Sequence, residues 1–187
     1  GVAITHKAAW NTIKDINQKF AVDSQDSVLG LSKLNFDLSV YDIFGLLSCG
    51  GTLVYPIRSR YMDPSHWMEI IQKYHITVWN SVPAFMQILT GYFSNKNQEM
   101  PIRLVLLSGD WIPVGMPEDI RKFAANARVI SLGGATEAAI WSIYHECVKN
   151  EIQEVSIPYG KPLSNQGFSI YDMKGRLCPV YVTGELC

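Results

Sequence analysis

Short apolar runs alternate along this chain with longer stretches whose apolar residues recur every three or four positions, and turn residues stand between them. The short runs, Ser27 to Ser32, Thr52 to Tyr55, Ile76 to Val82, Arg103 to Ser108 and Ala127 to Leu132, predict buried strands. Phe36, Val40, Ile43, Phe44 and Leu47 fall at helical spacing until Gly50 and Gly51 stop the helix. Asp63 and Pro64 supply an N-cap and a first-turn proline for a helix through Tyr74, with Trp67, Met68, Ile70, Ile71 and Tyr74 as its apolar side. Pro83 opens another helix, and Pro117 to Ala125 forms a further one. Strands and helices in alternation specify an α/β fold, a parallel sheet flanked by helices. Beyond Ala138 the helical spacing stops. Ala139 to Cys147, Gly167 to Tyr171 and Val180 to Thr183 predict strands without helices between them, so the last third is expected to be antiparallel or barrel-like. Asn150 to Gly160 reads as a loop, which divides an α/β core at 1–149 from a β-rich continuation of the same domain at 150–187.

The 187 residues suffice for one such unit. Sixteen basic against seventeen acidic residues leave a net charge of −1, which offers neither nucleic acid nor an anionic membrane an attractive field. The four cysteines lie far apart with no CxxC, so they read as idle thiols in a reducing cytosol. No apolar stretch approaches twenty residues and no signal-peptide pattern opens the chain, which gives the expectation of a cytoplasmic protein. The chain begins at Gly1 without methionine and stops at Cys187 within an apparent strand-turn motif, as expected of a piece of something larger.

In open parallel sheets, ligands bind beyond the carboxyl ends of the strands. That rule selects Asn80-Ser81, Ser108-Gly109-Asp110 and Leu132-Gly133-Gly134-Ala135-Thr136-Glu137 as the walls of one pocket. Gly133 and Gly134 allow backbone amides close to a phosphate, the Thr136 hydroxyl can donate to an oxygen, and Glu137 can hold a hard cation such as Mg²⁺. A plain glycine turn with a solvated glutamate fits the same residues. Asp37, in the first turn of its helix, is either a helix-end charge or an anchor for a ligand's ammonium group, and Leu38 and Tyr41 cluster with it. The four histidines have no partner at a telling spacing, Gly-x-Ser-x-Gly is absent, and Trp67 and Trp79 read as core.

These residues together resemble the adenylation domain of a nonribosomal peptide synthetase. Phe36-Asp37-Leu38-Ser39-Val40-Tyr41-Asp42-Ile43-Phe44 is similar to that family's Phe-Asp-x-Ser motif, and Gly133-Gly134-Ala135-Thr136-Glu137 to its Tyr-Gly-Pro-Thr-Glu motif. Gly1 to His6 with Asn11 resembles the tail of its phosphate-loop motif, and Gly184-Glu185-Leu186 the start of a later one. The resemblance implies an enzyme that joins an amino acid to ATP with Mg²⁺. It then passes the aminoacyl group to the phosphopantetheine thiol of a peptidyl carrier domain, beside a condensation or cyclisation domain. It implies that Asp37 binds the substrate ammonium, Thr136 the α-phosphate region and Glu137 the Mg²⁺, with Gly109, Gly133, Gly134 and Ala135 along the nucleotide. The side-chain pocket falls on Leu38, Tyr41, Asn80, Leu106, Ser108, Leu132, Ile140 and Trp141. Read in order after Asp37, that set is similar to the pocket of cysteine-activating members and points to L-cysteine, with serine or threonine as neighbours.

Gly133 stands where the family commonly has a tyrosine that can stack on adenine. The phosphate loop proper and the catalytic lysine of the C-terminal subdomain lie outside these residues, so the resemblance implies no catalytic residue within them and an inactive fragment. Two other readings share the features above. One is a carboxylic-acid adenylating relative that serves coenzyme A, and the other a non-catalytic docking module.

Overall fold

The structure, a computed structural model, describes residues 1–93, 98–149 and 156–187. Its centre is a parallel arrangement of β1 (Ser27–Leu29), β2 (Thr52–Val54), β3 (Val78–Ser81), β4 (Leu104–Leu107) and β5 (Arg128–Gly133), in the order β2-β1-β3-β4-β5. Two strands then continue the same sheet in the opposite sense. β6 (Ile143–Cys147) pairs antiparallel with β5, and β7 (Lys161–Pro162) antiparallel with β6. β8 (Ile170–Tyr171) and β9 (Glu185–Leu186) form a separate two-stranded ribbon.

Successive side chains on a strand point to opposite faces, and here both faces are covered. Val28, Val78, Leu104, Leu106 and Ile130 point to one face, where they meet α1 (His6–Lys19) and α2 (Leu38–Val40). Leu29, Trp79, Val105, Leu107 and Val129 point to the other, against α3 (Pro64–Lys73), α4 (Pro83–Phe93) and α5 (Met116–Arg121). Trp67 and Trp79 are fully buried in that second layer, edge to face at 5.8 Å. At the amino ends of the strands, Asp26 accepts from Thr77 Oγ1 at 2.7 Å and from Arg103 Nε at 2.8 Å, while Arg103 also donates to the Phe20 carbonyl. Burial pushes the Asp26 carboxyl up, but the Arg103 and Thr77 hydrogen bonds outweigh it and hold the group below its ordinary value.

Several elements differ from the sequence expectation. α1 was not expected at all. Thr5 caps it by accepting from the Ala8 amide at 3.2 Å, and Ile13 and Ile16 bury its inner side. The expected helix after Phe36 is only three residues of α-helix before the chain widens into a π-turn at Tyr41–Gly45. The extra residue per turn rotates the apolar stripe: Leu38, Tyr41 and Leu46 are buried, whereas Phe44 and Leu47 face outward. Tyr74 is likewise outside the core. The last third contains no closed barrel among the described residues, because β6 and β7 join the main sheet. Val180 to Thr183 leads as a turn into β9 rather than forming a strand. Of the expected loop, 150–155 lie outside the described residues and 156–160 are irregular. No described helix is long and apolar enough to cross a membrane.

Candidate active site

The chain turns to β2 on one side of β1 and to β3 on the other, so a crevice opens beyond the carboxyl ends of the parallel strands. β5 delivers residues to both sides of it. Leu132 points to the α1 face, where it is buried in one cluster with Leu38, Tyr41, Leu106, Ile140 and Trp141. The Tyr41 and Trp141 rings lie 5.0 Å apart at 56°. Trp141 Nε1 donates to Ser108 Oγ at 2.9 Å, and Tyr41 Oη donates to Asn17 Oδ1 at 2.9 Å. Asn17 itself donates to the Gly45 carbonyl, which ties the π-turn to α1. Burial pushes the Tyr41 phenol far above its ordinary value, so it stays a neutral donor. Asn17 was missed in the sequence, because its role depends on a helix that had not been assigned.

Asn80, at the end of β3, completes this wall and is fully buried. Its Nδ2 donates to Asp42 Oδ1 at 2.7 Å and to the Leu38 carbonyl at 3.3 Å. Its own Oδ1 and the second oxygen of Asp42 are buried without a hydrogen-bond partner among the described residues. Burial pushes the Asp42 carboxyl up to about 7, against the lowering influence of Asn80 and Ser32. Asp42 also went unrecognised in the sequence; an aspartate one residue past Tyr41 carries no signal of burial until the π-turn rotates it inward.

Asp37 occupies the N-cap position of α2 but does not cap it. Its Oδ2 instead accepts from Thr136 Oγ1 at 2.8 Å, across 99 positions of sequence. That bond joins the loop that the strand-end rule selected after β5 to the helix-start aspartate singled out separately. Thr136–Ala138 is a single 3₁₀ turn, from which Glu137 projects into solvent. The following Ala139 and Ile140 take left-handed backbone angles, φ 61° and 75°. Such a conformation is costly for a β-branched residue, of order 1–3 kcal/mol, and here it returns Ile140 and Trp141 to the buried cluster.

On the opposite face of β5 lies a cavity of about 450 Å³. Gly109, Asp110 and Trp111 wall it after β4, Ser131, Leu132 and Gly133 along β5 with Gly134 just beyond, and Pro158 and Tyr159 before β7. Ala135, Thr136 and Glu137 continue from its rim as an exposed loop. The two regions adjoin at Leu132, which is buried in the side-chain cluster and also lines the cavity beside Gly133.

The model of the AMP-binding enzyme family matches residues 1–187. This chain belongs to that family. Within it, the chain is 51% identical over 186 residues to bacitracin synthase 1 of Bacillus licheniformis, and 47% identical over 188 residues to pyochelin synthetase PchF of Pseudomonas aeruginosa. All of the chain is covered in both comparisons, but it spans only 4% of the first relative and 10% of the second. The AMP-binding chain also superposes on the crystal structure of the nonribosomal peptide synthetase FmoA3 in its AMPPNP-bound form. There the TM-score is 0.93 and the identity 40%, covering 100% of this chain and 20% of that one. The AMP-binding segment thus has the fold of a nonribosomal peptide synthetase adenylation domain.

Proposed function

We propose that this segment forms the amino-acid pocket and part of the nucleotide site of an enzyme that activates L-cysteine as its adenylate. The observation that supports the reading is the Thr136–Asp37 hydrogen bond, which brings the Asp37 carboxylate against the loop that follows the cavity beside β5. FmoA3 has also been solved with α-methyl-L-serine-AMP bound, an adenylate of a small polar amino acid, which supports the same class of ligand here.

In the intact protein the substrate carboxylate attacks the α-phosphorus of ATP. A carboxyl oxygen–phosphorus bond forms, the bond to the bridging oxygen breaks, and pyrophosphate leaves. Asp37 holds the substrate ammonium by charge, so the carboxylate points away from it toward the nucleotide. On ATP binding the single Thr136 hydroxyl proton would turn from Asp37 toward the α-phosphate, which frees that carboxylate oxygen for the ammonium, and Gly109, Gly133, Gly134 and Ala135 let backbone approach the nucleotide. The donor set suits Mg²⁺, since an exposed carboxylate in the same turn as Thr136 leaves room for phosphate oxygens and water. Glu137 would hold that ion, which when bound neutralises charge on the phosphates. Leu38, Tyr41, Leu106, Leu132, Ile140 and Trp141 exclude water around the side chain. Asn80 Oδ1, the buried acceptor without a partner, is the group that would meet a weak donor such as a thiol. The thiol of a carrier domain's phosphopantetheine would then displace AMP and receive the aminoacyl group. A neighbouring condensation or cyclisation domain would use the thioester.

Amino-acid-dependent pyrophosphate exchange in the intact protein tests this directly. L-cysteine is expected to drive exchange above serine and threonine, and Asp37→Ala to abolish it. Exchange that responds to a simple carboxylic acid but not to cysteine, or that survives Asp37→Ala unchanged, would sink the reading.

A further inference from the structure

We infer that Tyr159 supplies the aromatic platform for the purine of the nucleotide, and that Gly133 is glycine to make room for it. The inference rests on the adenylation reading. Its basis is the packing on the cavity side of β5. A Cβ built on Gly133 would stand 2.6 Å from Tyr159 Cε2 and 2.8 Å from its Cζ, closer than non-bonded carbon atoms approach, with Ile143 Cγ2 also at 2.8 Å on the β6 side. The Tyr159 ring therefore occupies the space a side chain at 133 would fill, and any such side chain would have to expel it.

Three further observations make that ring a platform rather than a loose surface group. First, Tyr159 is 54% exposed while lining the cavity, so part of the ring is in contact with Gly133 and part is free for a ligand. Secondly, its neighbour Gly160 has φ +105°, with its backbone directly against the Tyr144 carbonyl of β6, where a Cβ could not fit. That close approach holds the chain at Tyr159 against the sheet. Thirdly, the glycine turn at 133–134 shares the cavity, so a ring and a phosphate-compatible backbone bound the same space. A planar heteroaromatic base joined to phosphates matches both.

Trp111 is the other aromatic residue on the cavity wall. At 79% exposure, against 54% for Tyr159, its indole stands largely in solvent. It is therefore the control rather than the candidate. The assignment also accounts for Pro158 and Tyr159 lying on the site at all, since nothing in their local sequence marks them.

The test uses the intact synthetase and ATP as the probe, with ATP affinity measured directly and the Michaelis constants for ATP and amino acid taken from pyrophosphate exchange. Base stacking of this kind corresponds to roughly a 5- to 150-fold effect. Tyr159→Ala is therefore expected to weaken ATP at least about 5-fold while the amino-acid constant moves less than about twofold. Tyr159→Phe should stay near the parent, because the ring and not the hydroxyl is used. Gly133→Tyr alone should weaken ATP, since two rings contest one space, and Gly133→Tyr combined with Tyr159→Ala should recover most of the loss. That recovery is a result a merely misfolded variant cannot give. Unchanged ATP affinity in Tyr159→Ala, no recovery in the double variant, or a loss in Trp111→Ala without one in Tyr159→Ala would each overturn the assignment. A parent protein that binds no ATP and shows no amino-acid-dependent exchange would instead refute the adenylation reading on which it rests.

Discussion

Replacing Asp42 by Asn isolates the buried polar pair beneath the proposed amino-acid pocket. Asp42 is fully buried, accepts one hydrogen bond from Asn80, and keeps its second oxygen without a partner among the described residues. Taking that carboxylate out of water disfavours its charge and raises the carboxyl from 3.8 to about 7. Between those two values the folded protein retains a proton that the unfolded chain has already released. Stability contributed by this group is therefore complete below 3.8 and declines as pH rises through about 7. At about 1.4 kcal/mol per pH unit, the whole window is worth about 4 kcal/mol. Asn keeps the Oδ1 acceptor for Asn80 and cannot ionise, so it mimics the protonated acid. The stability difference between Asp42→Asn and the parent should then be small at pH 4 and should favour the variant by several kcal/mol at pH 8. Denaturant unfolding followed by tryptophan fluorescence suits the measurement, because Trp67, Trp79 and Trp141 are all fully buried. A difference that stays flat from pH 4 to pH 8 would show that Asp42 titrates as an ordinary solvated carboxyl, and would refute the reasoning.

Arg103→Met removes the partner of a carboxylate that is 3% exposed, and with the arginine itself partly exposed the loss should be about 2–3 kcal/mol at neutral pH. Because Arg103 holds Asp26 below its ordinary value, the stability it contributes is present above that ordinary value and lost as the pH falls below it, so the parent's advantage over the variant should shrink on acidification; thermal melts at pH 7 and pH 3 would reveal either result, and a difference that does not change with pH would contradict it. Ser108→Ala leaves the buried Trp141 indole N–H without its acceptor, at a cost of about 1–3 kcal/mol. The same variant should raise the Michaelis constant for the amino acid more than that for ATP, and the reverse order would place Ser108 on the nucleotide side.

Much of the fold was legible along the chain because strand burial and helix capping are local. β3, β4 and β5 stand out as continuous apolar runs because both faces of a parallel sheet are covered, and Asp63-Pro64 marks the start of α3 by capping chemistry that needs no distant partner. The positions of Asn80, Ser108 and Leu132 to Glu137 at strand ends followed from the same pattern. What periodicity could not express was a change of helical pitch. The π-turn at Tyr41–Gly45 turns Asp42 inward and Phe44 outward, opposite to what α-helical spacing predicts.

The sequence by itself determined the α/β class, the strand ends that bear polar groups, and the motifs that mark an adenylation domain, because each is written in neighbouring residues. Only the tertiary structure decided which groups meet. Asp37 and Thr136 are 99 positions apart, Tyr41 finds Asn17 on a helix that periodicity did not mark, and the ring over Gly133 comes from Tyr159, far along the chain. Those pairings depend on strand order and on which side of β5 each residue faces. That is a property of the folded sheet and not of any local stretch of chain.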